Sequence, residues 1–256
     1  MKVIVPVKQV PDVVEDLELT ADGTDVDREF LKFVVNEFDE QALEEALCIK
    51  ESSGAAVVVV GLDEPDVDQA LYGALAKGAD RAVKLVGTGE GWLPGHRRSA
   101  ILAAWLAGEG YDLVLTGVQA ADDLDGQLAT LLGARLGLPH ISVVVRVDAE
   151  GSAARVRQEL AGGTVVEEAV ALPAVIGVQA ARQAPRYVSI SRIRQAQQSG
   201  AVEEVPAATA DGATGFRLRR LLAPERTSHA EMLRGGPGEV AERIVELIRA
   251  KGLIPG

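Results

Sequence analysis

The chain has 256 residues, 47% of them hydrophobic and 25% charged, which is the composition of a globular protein able to bury a full core. Its net charge of −12 argues against nucleic-acid binding, because proteins that bind a phosphate backbone carry a basic face. The single cysteine, Cys48, excludes an intrachain disulfide, and we expect a cytoplasmic protein without membrane insertion because the sequence has neither a signal-peptide pattern nor an apolar run of about 20 residues.

The first 138 residues alternate short apolar runs with amphipathic helical runs. The strands are predicted at 3–7, 55–62, 81–86 and 111–116, and the helices at 38–52, 67–77, 98–107 and 126–136. Strands joined by helices run parallel, so this pattern predicts an α/β fold with a parallel, Rossmann-like sheet and helices on both faces. In the first helix, Glu44 and Glu45 fall on the polar side, opposite the apolar residues.

The pattern of the chain changes after Pro139. Strand-like runs follow one another without intervening helices, at 142–147, 154–160, 164–171 and 174–179. Gly162-Gly163 is a suitable two-residue turn between the middle pair. These runs predict an antiparallel hairpin extension of the parallel sheet.

The last part of the chain has weaker signals. Residues 180–220 predict an irregular loop and an extended arm, and residues 240–251 predict a terminal amphipathic helix. The resulting organisation has three parts: an α/β domain with its hairpin at 1–183, a loop and extended arm at 184–238, and a C-terminal helical arm at 239–256.

The most informative loop is Gly117–Gln127, which follows a predicted strand and leads into a predicted helix. Parallel sheets bind ligands beyond the carboxyl ends of their strands, and a helix that begins near Gly126 would point unpaired N–H groups at a nucleotide phosphate there. Asp122, Asp123 and Asp125 lie in the same loop and would repel a phosphate unless they face away, cap backbone amides or hold a cation. The alternative is a polar loop whose aspartates form turns and cap the helix.

Two other loops are expected to converge on the same crevice. Lys8–Asp12 follows the first strand, and Asn36–Glu40 opens the first helix, where Asn36 or Asp39 could act as the cap. Taken alone, these residues favour ordinary helix-start chemistry.

The common catalytic motifs are missing from the sequence. It has no G-x-G-x-x-G after the first strand, no P-loop lysine motif and no G-x-S-x-G elbow. His96, His140 and His229 are scattered, and Cys48 falls in an apolar helix stripe that is typical of a small core residue. The residues therefore indicate binding rather than bond chemistry.

Six motifs, in order along the chain, resemble the β (small) subunit of the electron-transfer flavoproteins. They are V-K-Q-V-P-D at 7–12, N-E-F-D-E-x-A-L-E-E-A at 36–46, A-L-A-K-G-A-D-R-A at 74–82, D-L-V-L-T-G-V-Q-A-A-D-D at 112–123, L-P-A-V-I-G-V at 172–178 and A-P-R-Y at 184–187. The resemblance implies a heterodimer in which FAD is held mainly by the α subunit and at the interface. It also implies electron transfer from acyl-CoA or related dehydrogenases to a quinone oxidoreductase, with a structural AMP in the β subunit and no catalytic residues in this chain.

The resemblance also implies the site residues. The cofactor-binding positions would be Pro6, Asn36, Glu37, Phe38, Asp39, Val60, Gly117, Val118, Gln119, Asp122, Asp123, Gly126, Gln127 and Leu128, with the phosphate against the backbone of the last three. Phe38 and Val13 would lie towards the FAD. A docking segment at Pro185–Arg194 would contact the dehydrogenase through Pro185, Arg186, Tyr187 and Ile190, with Ile190 at the position of the family's anchoring leucine.

The chain departs from the family pattern at several of these positions. Leu128 replaces the threonine of AMP-binding members, and the bifurcating members, which hold a second FAD in place of AMP, usually have valine there. The bifurcating G-D-T-A stretch is D-L-D-G at 123–126. Both nucleotides therefore stay open, with AMP favoured. The lysine-rich tail of the docking segment is replaced by Gln195, Gln197 and Gln198.

Two other classes of protein remain as alternatives. A stand-alone ATP-binding protein of the universal-stress type shares this kind of sheet, but its Gly-rich phosphate loop is not visible late in the chain. A nucleotide hydrolase or ligase would need Lys, His or metal ligands at the crevice, where only Lys8 and the three aspartates are available.

Overall fold

The computed structural model describes residues 1–14, 17–29, 31–88, 93–123, 125–199, 202–208, 218–223 and 232–254. The chain divides into two compact units, Met1–Arg220 and Leu221–Gly256, which are described separately. The predicted arm at 184–238 lies partly outside the described residues, at 200–201, 209–217 and 224–231.

The first unit contains eleven strands and five helices in its described part. The strands are β1 (Lys2–Pro6), β2 (Gln9–Pro11), β3 (Phe33–Val35), β4 (Ala56–Leu62), β5 (Arg81–Val86), β6 (Leu113–Gly117), β7 (His140–Glu150), β8 (Ala153–Leu160), β9 (Thr164–Ala171), β10 (Ala174–Val178) and β11 (Val202–Pro206). The helices are α1 (Glu37–Ser53), α2 (Val67–Lys77), α3 (Gly95–Leu106), α4 (Leu128–Leu136) and α5 (Ile190–Gln198). Nine strands form one sheet in the order β11-β5-β4-β1-β6-β10-β7-β8-β9.

The parallel core confirms the predicted α/β fold. Strand β1 pairs in parallel with β4 on one side and β6 on the other, and Val3, Ile4 and Val5 are fully buried. These near-continuous apolar runs form central strands because helices cover both faces, and separate hydrophobic clusters fill the space on the two sides of the sheet. The sheet therefore presents its strand ends, and the helix starts that follow them, at one edge.

The antiparallel extension is shorter than the sequence predicted. Strands β7, β8 and β9 pair antiparallel, with the turn at Gly162-Gly163 where it was expected. Strand β10 was predicted to belong to this extension, but it lies between β6 and β7 and is parallel to both. All five of its residues are buried, which fits a central position better than an edge.

The prediction of an irregular loop and arm over 180–220 is wrong for two stretches. Helix α5 packs near α2, and strand β11 adds a parallel edge strand beside β5. None of the α5 residues is buried, and β11 reads V-E-E-V-P, so neither has the apolar pattern that a sequence prediction requires. Arg81 on β5 and Glu203 on β11 form an ion pair of 2.8 Å across this edge.

A small antiparallel hairpin of β2 and β3 was not predicted. It pairs Gln9 with Val35 and Pro11 with Phe33, and the amide of Asn36 donates to the carbonyl of Lys8 at 3.0 Å. The hairpin therefore brings the end of β1 next to the start of α1. The second unit contains α6 (Pro237–Ala250), which confirms the predicted terminal helix and begins with proline in its first turn.

Candidate functional site

A cleft lies at the strand-end edge of the parallel sheet, where α1, α3 and α4 begin. We call it the strand-end cleft; its lining residues are Pro6, Val7, Lys8, Asn36, Asp39, Leu62, Gly95, Arg98, Leu102, Gly117, Val118, Gln119, Ala120, Asp123, Asp125, Gly126, Gln127 and Leu128. Ten of the fourteen positions assigned to the nucleotide are in this set. Of the other four, Asp122 contacts the lining residue Lys8, and Phe38 packs against Gly117. Glu37 is exposed at the start of α1, and Val60 is buried in the core.

The carboxylate of Asp39, in the predicted loop Asn36–Glu40, joins this loop to the other two. Its Oδ2 accepts from the amide of Lys8 at 3.1 Å, and its Oδ1 accepts from the amide of Gly117 at 3.2 Å. Asp39 is only 5% exposed. Burial raises the pKa of Asp39 to about 6, although the nearby positive charge of Lys8 and the bond from Asn36 oppose the rise.

Gly117 is required where β6 meets the start of α1. A Cβ at this position would lie 2.8 Å from the backbone carbon and the Cβ of Phe38, closer than real side chains approach. The glycine therefore allows the strand end and the helix start to touch, which closes the floor of the strand-end cleft.

Lys8 resolves the apparent conflict between the acidic loop and an anionic ligand. Its buried ammonium donates to both Asp122 and Asp123, the latter at 2.9 Å. Asp123 also accepts from the amide of Ala120 at 3.0 Å, which is the amide capping that the sequence left open. Two of the three loop carboxylates are therefore engaged by a cation or the backbone instead of facing a ligand unpaired.

Arg98 is a second buried cation of the cleft, and the sequence did not assign it to the site. It is 3% exposed and forms a two-pronged ion pair with Glu64, with Nη1 and Oε2 at 3.1 Å. Its Nε has no hydrogen-bond partner within the described residues. Helix α3 begins at Gly95, three residues before the predicted Arg98, and Arg98 lines the cleft from the end of its first turn.

Asp125 contributes a buried hydrogen-bond acceptor to the cleft, as Arg98 contributes a buried donor. Its Oδ2 is buried without a partner among the residues that the structure describes, and it lies near Gly95 at the start of α3. Burial, followed by the negative charge of Asp123, raises the pKa of Asp125. A buried donor and a buried acceptor without partners, lining one cleft, fit a polar ligand that satisfies both.

The helix starts add a favourable field for an anion. Within the described residues, the N-cap side chains of α1, α3 and α4 make no capping hydrogen bond, so these helix starts are not closed by their own cap residues. Helix α4 begins at Leu128, two residues after the predicted Gly126. The first amides of α4 thus lie beside the lining residues Gly126 and Gln127, as phosphate binding at this position requires.

The strand-end cleft is narrow. Its cavity volume is about 20 Å³, whereas sites for drug-sized ligands have about 300–1,000 Å³. A ligand of that size would need the side chains that line the cleft to move outward.

No residue of the predicted docking segment lines this cleft, and Ile190 of that segment opens α5. Tyr187 is 87% exposed and Ile190 is 64% exposed. The guanidinium of Arg186 instead pairs with Glu44 and Glu51 of α1, at 2.8 and 2.7 Å. Glu44 and Glu45, which the sequence placed on the polar side of the helix, are buried because arginines from this region cover them.

Comparison with known proteins identifies the family. A model of the electron transfer flavoprotein domain matches residues 25–210. The electron transfer flavoprotein subunit beta of Methylophilus methylotrophus is 35% identical, over 97% of this chain and 98% of that protein. The chain belongs to the electron transfer flavoprotein β-subunit family. The β subunits of Syntrophomonas wolfei, 37% identical over 87% of this chain and 84% of that protein, and Clostridium acetobutylicum, 34% identical over 75% and 74%, agree with this.

Three further observations concern the described part of the chain. Within the described part of the chain, no three His, Cys, Asp or Glu side chains come together as metal ligands. In the same part, no helix is both long enough and apolar enough to cross a bilayer. Cys48 is buried as predicted, and burial together with the charges of Glu44 and Glu45 raises the pKa of its thiol.

Proposed function

We propose that this chain is the β subunit of a heterodimeric, cytoplasmic electron carrier, and that it binds a structural AMP in the strand-end cleft. The observation that carries the proposal is the convergence of two buried cations, Lys8 and Arg98, with the uncapped start of α4 at this cleft. An adenine nucleotide has the phosphate for the helix start and the hydroxyl and amino groups for the remaining polar atoms.

The phosphate would bind to the backbone amides at Gly126, Gln127 and Leu128. Amides and a helix dipole hold an anion without adding a titratable group. Within the described residues, Arg98 has one N–H in the lining without a partner, and Asp125 has one carboxylate oxygen without a partner. The AMP would thus satisfy groups that the described part of the chain leaves without partners.

The flavin would be held mainly by the α subunit and at the interface, with Phe38 and Val13 facing it from this chain. Bound FAD supplies the redox chemistry, and the residues of this chain bind, orient and shield. Electrons would come from acyl-CoA or related dehydrogenases, which would contact Pro185, Arg186, Tyr187 and Ile190, and would pass to a quinone oxidoreductase. The exposure of Tyr187 and Ile190 supports this docking role, since an apolar anchor must be free to enter a partner.

A bifurcating β subunit with a second FAD in the same cleft is the second candidate. Leu128 favours it, because an apolar residue stands where AMP-binding relatives have threonine. The two candidates share the phosphate contacts and differ in what lies beyond them.

The composition of the purified complex tests the proposal. The chain is co-purified with its α subunit and the complex is denatured, and the released FAD and AMP are separated and quantified. One FAD and one AMP per heterodimer would support the simple carrier. Two FAD and no AMP would replace it with the bifurcating candidate, whereas a stable monomer that binds ATP and no flavin would point to a stand-alone nucleotide-binding protein.

A further inference from the structure

Residues 181–186, which we call the crossing, pass over α1 without joining a helix or a strand. Two buried glutamates of α1 accept hydrogen bonds from them. Glu45 is completely buried. It accepts from the amides of Val147 at 2.7 Å and Arg182 at 3.0 Å, and its Oε1 accepts from Nη2 of Arg182 at 2.7 Å. Arg182 also donates to the carbonyl of Val147, so one carboxylate and one guanidinium join α1, β7 and this crossing.

Glu44 holds the end of the crossing in the same way. Its Oε2 accepts from the amide of Arg186 at 2.9 Å, and its Oε1 accepts from Nη2 of Arg186 at 2.8 Å and from Nε2 of Gln183 at 2.7 Å. Burial raises the pKa of Glu44, but the bonds from Arg186 and Gln183 outweigh that effect and leave the pKa below its usual value. The carboxylate is therefore ionised at neutral pH and fully engaged.

The crossing leads directly into the docking segment. Tyr187 follows Arg186 in the chain, and Ile190 opens α5 three residues later. Backbone that lacks helix or sheet partners needs other acceptors for its amides, and here the two carboxylates accept from the amides of Arg182 and Arg186. A bond to the amide of Arg186 fixes the backbone itself, so the path of the chain into Tyr187 is set whatever the arginine side chain contacts.

We infer that Glu44 and Glu45 are positioning residues that hold the docking segment in the orientation it needs to meet a partner dehydrogenase. The inference rests on the proposed docking role of Tyr187 and Ile190. It also assigns to Arg186 an anchoring task, because its guanidinium is occupied by Glu44 and Glu51. A surface that is held in place before it meets its partner loses less conformational freedom on binding.

The test uses the complete heterodimer with its FAD and an acyl-CoA dehydrogenase reduced by its own substrate. The variant is Glu44→Gln, and the matched control is Glu51→Gln, which removes an exposed partner of the same arginine. For Glu44→Gln we expect the KM of the dehydrogenase for the heterodimer to rise at least about tenfold. FAD content and the limiting rate should stay within about twofold of the parent. Hydrogen exchange of the amides at 183–188 should accelerate in the same variant, and Glu51→Gln should match the parent in both measurements.

Ile190→Ala separates failure of the inference from failure of the docking proposal. If Ile190→Ala raises the KM and Glu44→Gln does not, docking stands and the positioning role is overturned. If neither variant changes the KM, the docking proposal fails and the inference fails with it. Should Glu44→Gln not fold, Glu44→Asp carries the same test, because it keeps the charge and shortens the reach, and an unchanged KM there would also overturn the positioning role.

Discussion

The carboxylate of Asp39 accepts a hydrogen bond of 3.2 Å from the amide of Gly117, 78 residues further along the chain. This bond ties the first turn of α1 to the end of β6, which are the two elements that form the floor of the strand-end cleft. The contact is possible only because position 117 has no side chain. Site geometry and packing therefore depend on the same glycine.

Gly117→Ala tests that dependence. The added methyl would overlap Phe38 and must push α1 away from β6, so we expect a loss of about 1–3 kcal/mol in the free energy of unfolding and loss of bound nucleotide. The measurements are denaturant unfolding and the nucleotide content of the purified complex. Gly73→Ala is the control, since a Cβ there, inside α2, meets nothing within 4 Å and should leave stability equal or slightly higher. Normal nucleotide content in Gly117→Ala would show that the close contact is dispensable.

Asp39 should make the protein less stable as the pH rises from acid to neutral. Its pKa is about 6 in the folded protein and about 4 in an unfolded chain, so the unfolded state loses its proton first. The penalty grows above pH 4 and levels off above pH 6. Relative to Asp39→Asn, the parent should lose about 1 kcal/mol of unfolding free energy between pH 5 and pH 8, measured by urea denaturation at several pH values. A difference between the two proteins that does not change with pH would contradict the raised pKa.

Lys8→Met should leave Asp122 and Asp123 without their shared ammonium. Removing one partner of a buried ion pair costs about 3–5 kcal/mol, and the two negative charges, without the ammonium beside them, would also repel a phosphate in the cleft. We expect weaker AMP retention and lower stability, measured by calorimetric titration and thermal unfolding.

A charge-matched variant is the control for Lys8. Lys8→Met combined with Asp122→Asn and Asp123→Asn removes the two negative charges together with the cation, and it should recover most of the lost AMP affinity. If the triple variant binds no better than Lys8→Met alone, direct contact of Lys8 with the ligand, instead of neutralisation of the aspartates, would explain its effect.

The parts of the fold that the sequence predicted are those set by local pattern. The valine runs of β1 and β4 have no polar residues to face water, and Gly54 and Gly78 stop the first two helices where the amphipathic runs end. The position of β10 was not predictable in this way. A five-residue buried run can pair in either direction, and its place between β6 and β7 is decided by long-range pairing.

The same distinction holds for the candidate site. The loop after β6 was predicted because strand and helix order places it at the sheet edge. Arg98 was missed because its burial depends on its ion pair with Glu64, 34 residues away along the chain, and no local pattern contains that contact. The burial of Glu44 and Glu45 depends on arginines more than 130 residues away, and no local pattern contains that information.

Arg98 provides the sharpest test of which ligand group the cleft recognises. Its Nε has no partner in the described protein, and phosphate is the ligand group that best accepts from a guanidinium. Arg98→Lys keeps the positive charge near Glu64 but removes this N–H donor. We expect its Kd for AMP to rise about tenfold, corresponding to one lost charge-assisted bond, while the Kd for adenosine stays within about twofold.

Calorimetric titration of nucleotide-free heterodimer measures both dissociation constants. The control is Arg97→Lys, on the exposed side of the same turn. Equal weakening of AMP and adenosine binding would mean that Arg98 supports the cleft wall through Glu64 and does not contact the phosphate.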